Sequence, residues 1–457
     1  MSNNVSYKEY KETDYNWLHT IPKGWEIKKL KRGIEFLTDF EANGSFQDVK
    51  DNVTLDTGEP FAWYVRATDL ENMRYGFDSE NRSCDQASYN YLRKTRLVGG
   101  ELLVAKRGEI GKVYLMPTVD IPATLAPNLY LLRFNGSLYP KFVNYWFVSE
   151  LGKKELVLAN KSTTIGALYK DDIKESYCIF PEIEEQRCLA EFLDQKTAEI
   201  DSLIADKEKL IALLEEQRQA IINEAITKGL NTGVKMKDSG VEWIGEIPEE
   251  WRISRIKYQA DINKNTLTEN TDSDFEMEYI DIGSVNSKGE VTNVELFTFE
   301  KAPSRARRVL TEGDTIVSTV RTYLKAITWF EKVEGNLICS TGFAVLSPKE
   351  TIHRKYLSYL LRSTKYIDEI VSRSTGVSYP AITASEIGLL ECLLPDIDEQ
   401  IEIVEYIDKR VNEVDSLIVE IGNQIDRIKE YRKSLIFEAV SGKIDVRDVA
   451  AEVTPTA

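Results

Sequence analysis

The sequence predicts a mixed α/β fold. Two tandem globular domains are separated by two long helices packed as an antiparallel coiled coil, with a pseudo-two-fold repeat relating the halves. Three observations predict it. Pro181–Gly229 has no internal proline or glycine and is dense in Ala, Leu, Glu, Lys and Gln, all strong helix formers. Pro395–Lys443 repeats its pattern at an offset of 214 residues. The segments flanking both stretches also recur, in the same order.

In the first stretch apolar residues fall at Leu189, Leu193, Ile200, Leu203, Leu210, Leu214, Ile221 and Ala225, in steps combining threes and fours. This heptad spacing predicts a helix lying along another helix. Pro181 suits its start and Gly229 its end. At ~1.5 Å per residue it spans roughly 65 Å, a spacer's length. The second stretch offers the partner seam Ile403, Ile407, Val414, Leu417, Ile428, Leu435 and Ala439, with Gln424 standing at the place of Leu210.

The repeat extends beyond the helices. WLHTIPKGWEIKKLK, Trp17 to Lys31, matches WIGEIPEEWRISRIK, Trp243 to Lys257. WYVRATDL from Trp63 matches EYIDIGSV from Glu278, and GGELLVAKRGEIGKV from Gly99 matches EGDTIVSTVRTYLKA from Glu312. ELLVA and DTIVS alternate between turn residues as strands do. YPKFVNYWFVSELGKKEL and HRKYLSYLLRSTKYIDEI carry aromatic and aliphatic residues at helical spacing, read as core. Ser162–Pro181 then runs ungapped against Gly376–Pro395. The implied domains are 1–180, the long helix 181–229, a linker and second domain 230–394, the second long helix 395–444, and a flexible tail 445–457. The linker is Gly229 to Ser239. Between the framework positions the copies diverge: Trp17 to Tyr64 is eleven residues longer than Trp243 to Tyr279.

Composition narrows the function. No run approaches a membrane span, and the N-terminus lacks the apolar segment of a signal peptide, so a soluble cytoplasmic protein is expected. The five cysteines form no CxxC pair, which suggests neither a disulfide framework nor a metal site. The net charge of −17 is concentrated: each long helix carries eleven acids against six bases, leaving basic clusters elsewhere. There is no phosphate loop or glycine-rich cofactor fingerprint. His19 and His353 are the only histidines, too few for a zinc HExxH motif and a poor basis for a His-dependent triad. Asp194, Gln195 and Lys196 after Glu182 could be arranged as a nuclease-like cluster, but they fall on the heptad helix where a solvated face is expected. No catalytic residue is expected.

Contacts to DNA need Arg and Lys for phosphates and polar side chains for base edges. In the first copy the candidates are Arg66, Lys106, Arg107, Lys112, Lys161, Ser162, Thr163, Thr164, Tyr169 and Lys170. In the second they are Arg305, Arg307, Arg308, Arg321, Tyr323, Lys325, Arg373, Ser374, Thr375, Ser378 and Tyr379. Ungapped, Val320 stands opposite Arg107; a one-residue shift brings Arg321 there instead.

The two Trp-x-x-x-Ile-Pro-x-x-Trp segments (WLHTIPKGW, WIGEIPEEW), the two Pro-x-x-x-Glu-Gln helix starts (PEIEEQR, PDIDEQI) and the IDSLI/VDSLI heptads resemble specificity subunits of type I restriction-modification systems over nearly the whole chain. The resemblance implies two target-recognition domains, each reading half of a bipartite, asymmetric double-stranded DNA sequence, with the helices fixing the spacer. It further implies a non-catalytic subunit that assembles with two adenine-N6 methyltransferase subunits, which bind S-adenosylmethionine, and two ATP- and Mg-dependent restriction translocase subunits. The acidic helices would serve as docking surfaces. Two other readings are a recognition subunit of a methylation-only or other phage-defence complex, and a coiled-coil scaffold that binds only proteins.

Overall fold

The computed structural model describes residues 6–447 apart from 57, 109–110, 160–165 and 377. The chain forms two compact units, one of residues 1–206 with 424–457 and one of residues 207–423. Each contains one globular domain and one half of each long helix. The central helix is Ile183–Lys228 and the distal helix Ile397–Val440. Gly229, at φ +72°, supplies the left-handed residue that ends the central helix, and its N–H bonds the Ala225 carbonyl.

Among the described residues the first unit has two four-stranded sheets. One runs in the order Ile34–Asp39, Leu129–Phe134, Leu102–Ala105, Val113–Leu115. The other runs Ser83–Cys84, Ala62–Val65, Ala123–Leu125, Arg96–Leu97, with a parallel pair at its centre. The second unit repeats both orders. Its sheets are Ala260–Ile262, Phe343–Pro348, Thr315–Ser318, Ile327–Trp329 and Glu295–Thr298, Glu276–Ile280, Leu337–Ser340, Ala306–Val309.

The expected strand ELLVA is buried on both faces, which explains its unbroken apolar run. Leu102 and Val104 face the helices, while Leu103 and Ala105 face the second sheet. In the second unit Val317 and Ile316 divide in the same way. The aromatic stripes form two helices apiece, not one: Pro140–Val148 with Glu150–Ala159, and Arg354–Arg362 with Thr364–Ser372. Each pair breaks at an extended serine, Ser149 or Ser363, whose hydroxyl bonds the carbonyl three residues back.

Within each unit the helix halves run antiparallel. Arg432 pairs with Asp201 in the first unit at 2.9 Å, and Arg218 with Asp415 in the second at 3.0 Å. The heptad seam needs correction. Leu189, Leu193, Ile200, Ile403, Ile407, Val414, Leu435, Ala225 and Ala439 are buried, and Leu214, Ile221 and Ile428 are partly so. Leu203, Leu210 and Leu417 are exposed. The covered positions instead recur every eleven residues, at Leu189, Ile200, Ile211, Ile222 and at Ile403, Val414, Ile425, Ile436. An α-helix drifts by ~20° per heptad, and these helices keep their own period where a strict heptad seam would underwind them.

The repeated motifs lock each domain to its helix. The buried indole of Trp25 donates to Glu185 at 2.9 Å, and that of Trp251 donates to Glu399 at 2.9 Å. The next residue, Gln186 or Gln400, accepts a backbone N–H from Tyr139 or His353, each at 2.8 Å. The Trp and Glu-Gln motifs are thus two halves of one joint. Asp194, weighed above for a nuclease cluster, bonds Lys141 at 2.6 Å and Tyr145 at 2.7 Å; Asp408 does the same with Lys355 and Tyr359.

The linker, Gly229 to Ser239, holds a short strand, because Met236–Asp238 pairs with Glu246–Pro248. The tail does not begin at 445: Val446 is buried and Arg447 pairs with Asp445 at 2.5 Å, while 448–457 lie outside the described residues. No described helix is long and apolar enough to cross a membrane.

Candidate nucleic-acid interface

In the second unit two loops cross at the end of the sheet that contains Thr315–Ser318. The loop after Thr315–Ser318 turns through Arg321 and Lys325, both left-handed (φ +51° and +56°), around a short 3-10 helix, Thr322–Leu324. The loop before Ala384–Leu389 meets it: Val320 bridges Ala381, and the Arg321 N–H bonds the Pro380 carbonyl at 2.8 Å. The Arg321 guanidinium stacks over the Tyr379 ring at 4.8 Å. Ser374 is tied to Thr322 at 2.8 Å and so braces the crossing. Arg321, Tyr323, Lys325, Thr375, Ser378 and Tyr379 are brought together here, exposed. Arg305 is also exposed, its carbonyl bonded to the Thr341 N–H.

The other three candidate arginines of this unit make contacts within the fold. Arg307 lies over Phe299 at 4.6 Å, and Arg308 bonds the Thr266 hydroxyl at 2.9 Å. Arg373 pairs with Glu369 at 2.6 Å. For these three the expected open contact surface is corrected.

In the first unit Arg107 bridges Ala167, and Tyr169 stands exposed beyond it. Because Ala167 and Ala381 are repeat equivalents, Val320 is the counterpart of Arg107 and no shift applies; Arg321 takes the place of Gly108. Lys106 is not a surface cation. It is nearly buried over the Tyr130 ring and pairs with Asp39 at 2.7 Å, while Lys170 reaches the same carboxylate at 2.8 Å. Burial pushes the Asp39 carboxyl up, and the hydrogen bonds from Lys106 and Lys170 outweigh it, holding the group below its usual range. Lys112 pairs with Glu71 at 3.0 Å, and Arg66 with the buried Asp69 at 2.6 Å. Lys161, Ser162, Thr163 and Thr164 lie outside the described residues.

Asp39 escaped the sequence reading because it lies far along the chain from both lysines and in no basic cluster. Strand register identifies its counterpart. Leu37 sits opposite Leu132 as Ile262 sits opposite Leu346, which makes Lys264 the equivalent of Asp39. Thr319 and Ala384 replace Lys106 and Lys170. One carboxylate holding two ammonium groups thus becomes one exposed ammonium in the second unit, within 3.7 Å of the Asp261 carboxylate. The arrangement can bind polyanions through Arg, Lys and Tyr side chains on rigid loops.

The family model for the type I restriction modification DNA specificity domain matches residues 22–212 and 248–427. The type I restriction enzyme MjaVIII specificity subunit of Methanocaldococcus jannaschii is 21% identical, over 96% of this chain and 98% of that protein. A chain from a structure describing assembly and conformational transition of the type I R-M system superposes with a TM-score of 0.67 at 16% identity, covering 93% of this chain and 99% of that one. The HsdS subunit of Thermoanaerobacter tengcongensis superposes with a TM-score of 0.54 at 17% identity, covering 95% and 100%.

Proposed function

Because the chain belongs to the type I restriction-modification DNA specificity family, in which it has the role of DNA recognition, we propose that it reads a bipartite, asymmetric target with one unit on each half. The observation that supports this reading is a shared frame with unlike exposed loops. The Trp–Glu joints and the Asp194 and Asp408 clusters recur bond for bond. Arg107 and Tyr169 on one frame, against Arg321, Tyr323 and Tyr379 on the other, offer different contacts to base edges.

In this reading the long helices set the spacing between half-sites, and their acidic faces dock two methyltransferase and two restriction subunits. Those partners bring S-adenosylmethionine and ATP with Mg; this chain supplies recognition and no catalysis. It acts in the cytoplasm, where its DNA lies. The test is a genome-wide map of N6-methyladenine in cells with this gene and its modification partner, against cells lacking this gene. A two-part motif that vanishes with the gene is the expected result. If the partner is active and no motif depends on the gene, the recognition reading fails.

A further inference from the structure

We propose that the second unit carries a phosphate-binding pocket, built on Arg362 with Arg218, Lys288 and Lys325, that takes a backbone phosphodiester of bound DNA. The inference rests on the DNA-recognition reading and gives it a second, sequence-independent contact.

The pocket is a cleft of about 460 Å³ where the globular domain of this unit meets its helix halves. Four cations line it against two carboxylates, Glu215 and Asp415. Both carboxylates are already engaged: Glu215 by Lys288 at 2.9 Å and Asp415 by Arg218 at 3.0 Å. That leaves Arg362 and Lys325 without a carboxylate in ion-pair reach among the described residues. The guanidinium of Arg362 donates to the Lys288 carbonyl, a neutral acceptor. A partly buried cation without a counter-ion is costly unless a mobile anion supplies one. Burial first, then the charge of Arg218, push the Arg362 guanidinium below its usual value.

The loop is shaped around this guanidinium. Gly289 has φ +78°, and a Cβ there would lie 2.6 Å from the Ile327 carbonyl oxygen and 3.1 Å from the Arg362 guanidinium carbon, so the close approach requires glycine. Thr364 and Gln219 add polar groups to the lining.

Comparison with the first unit isolates the feature. The Arg218–Asp415 pair recurs there as Arg432–Asp201. Val148 and Glu150, however, stand in place of Arg362 and Thr364. Lys429 and Lys433 lie on the distal helix there, and Lys433 is paired with Glu430. At this place in the fold, the arginine without an ion pair belongs to the second unit.

DNA is the favoured source of the anion because Tyr323 and Lys325 line the cleft and also belong to the exposed cluster around Arg321. A duplex lying on that cluster passes the mouth of the cleft.

The experiment measures affinity of the full chain for a mixed-sequence duplex and for a duplex carrying the mapped target, across a salt series. Each phosphate contact contributes about 0.9 to the slope of log affinity against log salt. Arg362→Gln should lower that slope by about one and weaken both duplexes by the same factor. Ser287→Asp, an exposed substitution at the mouth, keeps the test available if Arg362→Gln does not fold, and should weaken both duplexes equally. Unchanged slopes and affinities in a folded variant overturn the pocket. If replacing chloride by inorganic phosphate at equal ionic strength raises the melting temperature of the wild type but not of Arg362→Gln, while the DNA slopes stay equal, the site takes free phosphate and the DNA assignment falls. Absence of any salt-dependent DNA binding by the wild type counts against the recognition reading itself, which separates the two failures.

Discussion

In the first unit Asp39 holds Lys106 and Lys170 on one nearly buried carboxylate; in the second the same three places are Lys264, Thr319 and Ala384. Each trio carries one net positive charge, yet one is a closed, nearly buried ion cluster and the other an exposed ammonium loosely paired with Asp261 at 3.7 Å. Around them the skeleton does not change. The Lys106 N–H bonds the Asn128 carbonyl at 2.8 Å as the Thr319 N–H bonds that of Gly342, also at 2.8 Å. The frame is held by main-chain bonds and by a few joints at the helices, so charge on the loop side can be redistributed without moving a strand. On the function proposed above, that separation suits two halves that share partners and differ in what they read.

The comparison breaks most visibly at the joints. Trp25→Ala and Trp251→Ala each remove a buried indole and its bond to a helix carboxylate, and each should cost ~3–5 kcal/mol. Denaturant unfolding should give similar losses for the two; a large inequality would show that the joints are not equivalent.

Asp39→Asn comes next. It leaves Lys106 nearly buried without its carboxylate and should cost about 3 kcal/mol, whereas Lys264→Gln, at an exposed site, should stay within about 0.5 kcal/mol. The pH dependence has a definite sign. The folded pKa of Asp39 lies below its unfolded value of about 3.9, so its contribution is full above that value and is lost as pH falls through the depressed one. The stability gap between wild type and Asp39→Asn should therefore be widest near neutral pH and narrow in acid. A gap that grows in acid would contradict the ion cluster.

Loop arginines should act on one half-site at a time. Arg321→Ala removes a guanidinium stacked on Tyr379 and should cost ~1–3 kcal/mol in DNA binding, relaxing the half read by the second unit. Arg107→Ala should relax the other half. Methylation mapping of each variant checks this, and loss of the same half-site by both would undo the division of labour.

The smallest effects sharpen the helix seam. Leu203→Ala, Leu210→Ala and Leu417→Ala, all at exposed positions, should change stability by less than about 0.5 kcal/mol. Ile222→Ala and Ile403→Ala, at buried positions, should cost ~2–5 kcal/mol. Equal losses in the two sets would restore the heptad seam.

The sequence by itself determined the repeat, the two long helices, the mixed α/β class and the non-random placing of charge. Those features are written in local periodicity and in identities that recur at one offset, so no folding is needed to see them. It also marked Trp25, Trp251, Glu185 and Glu399 as belonging to a pattern, without saying that they touch. Tertiary structure decided the pairing. Asp39 and Lys106 meet only because their two strands flank the same strand, Leu129–Phe134, and that contact withdraws a cation from the set available to DNA. Val320, not Arg321, answers to Arg107 because bridges to Ala381 and Ala167 fix the register. The buried face of the helices follows an eleven-residue period because the α-helix keeps close to its own pitch. Leucines at heptad spacing could not reveal which of them packing would cover.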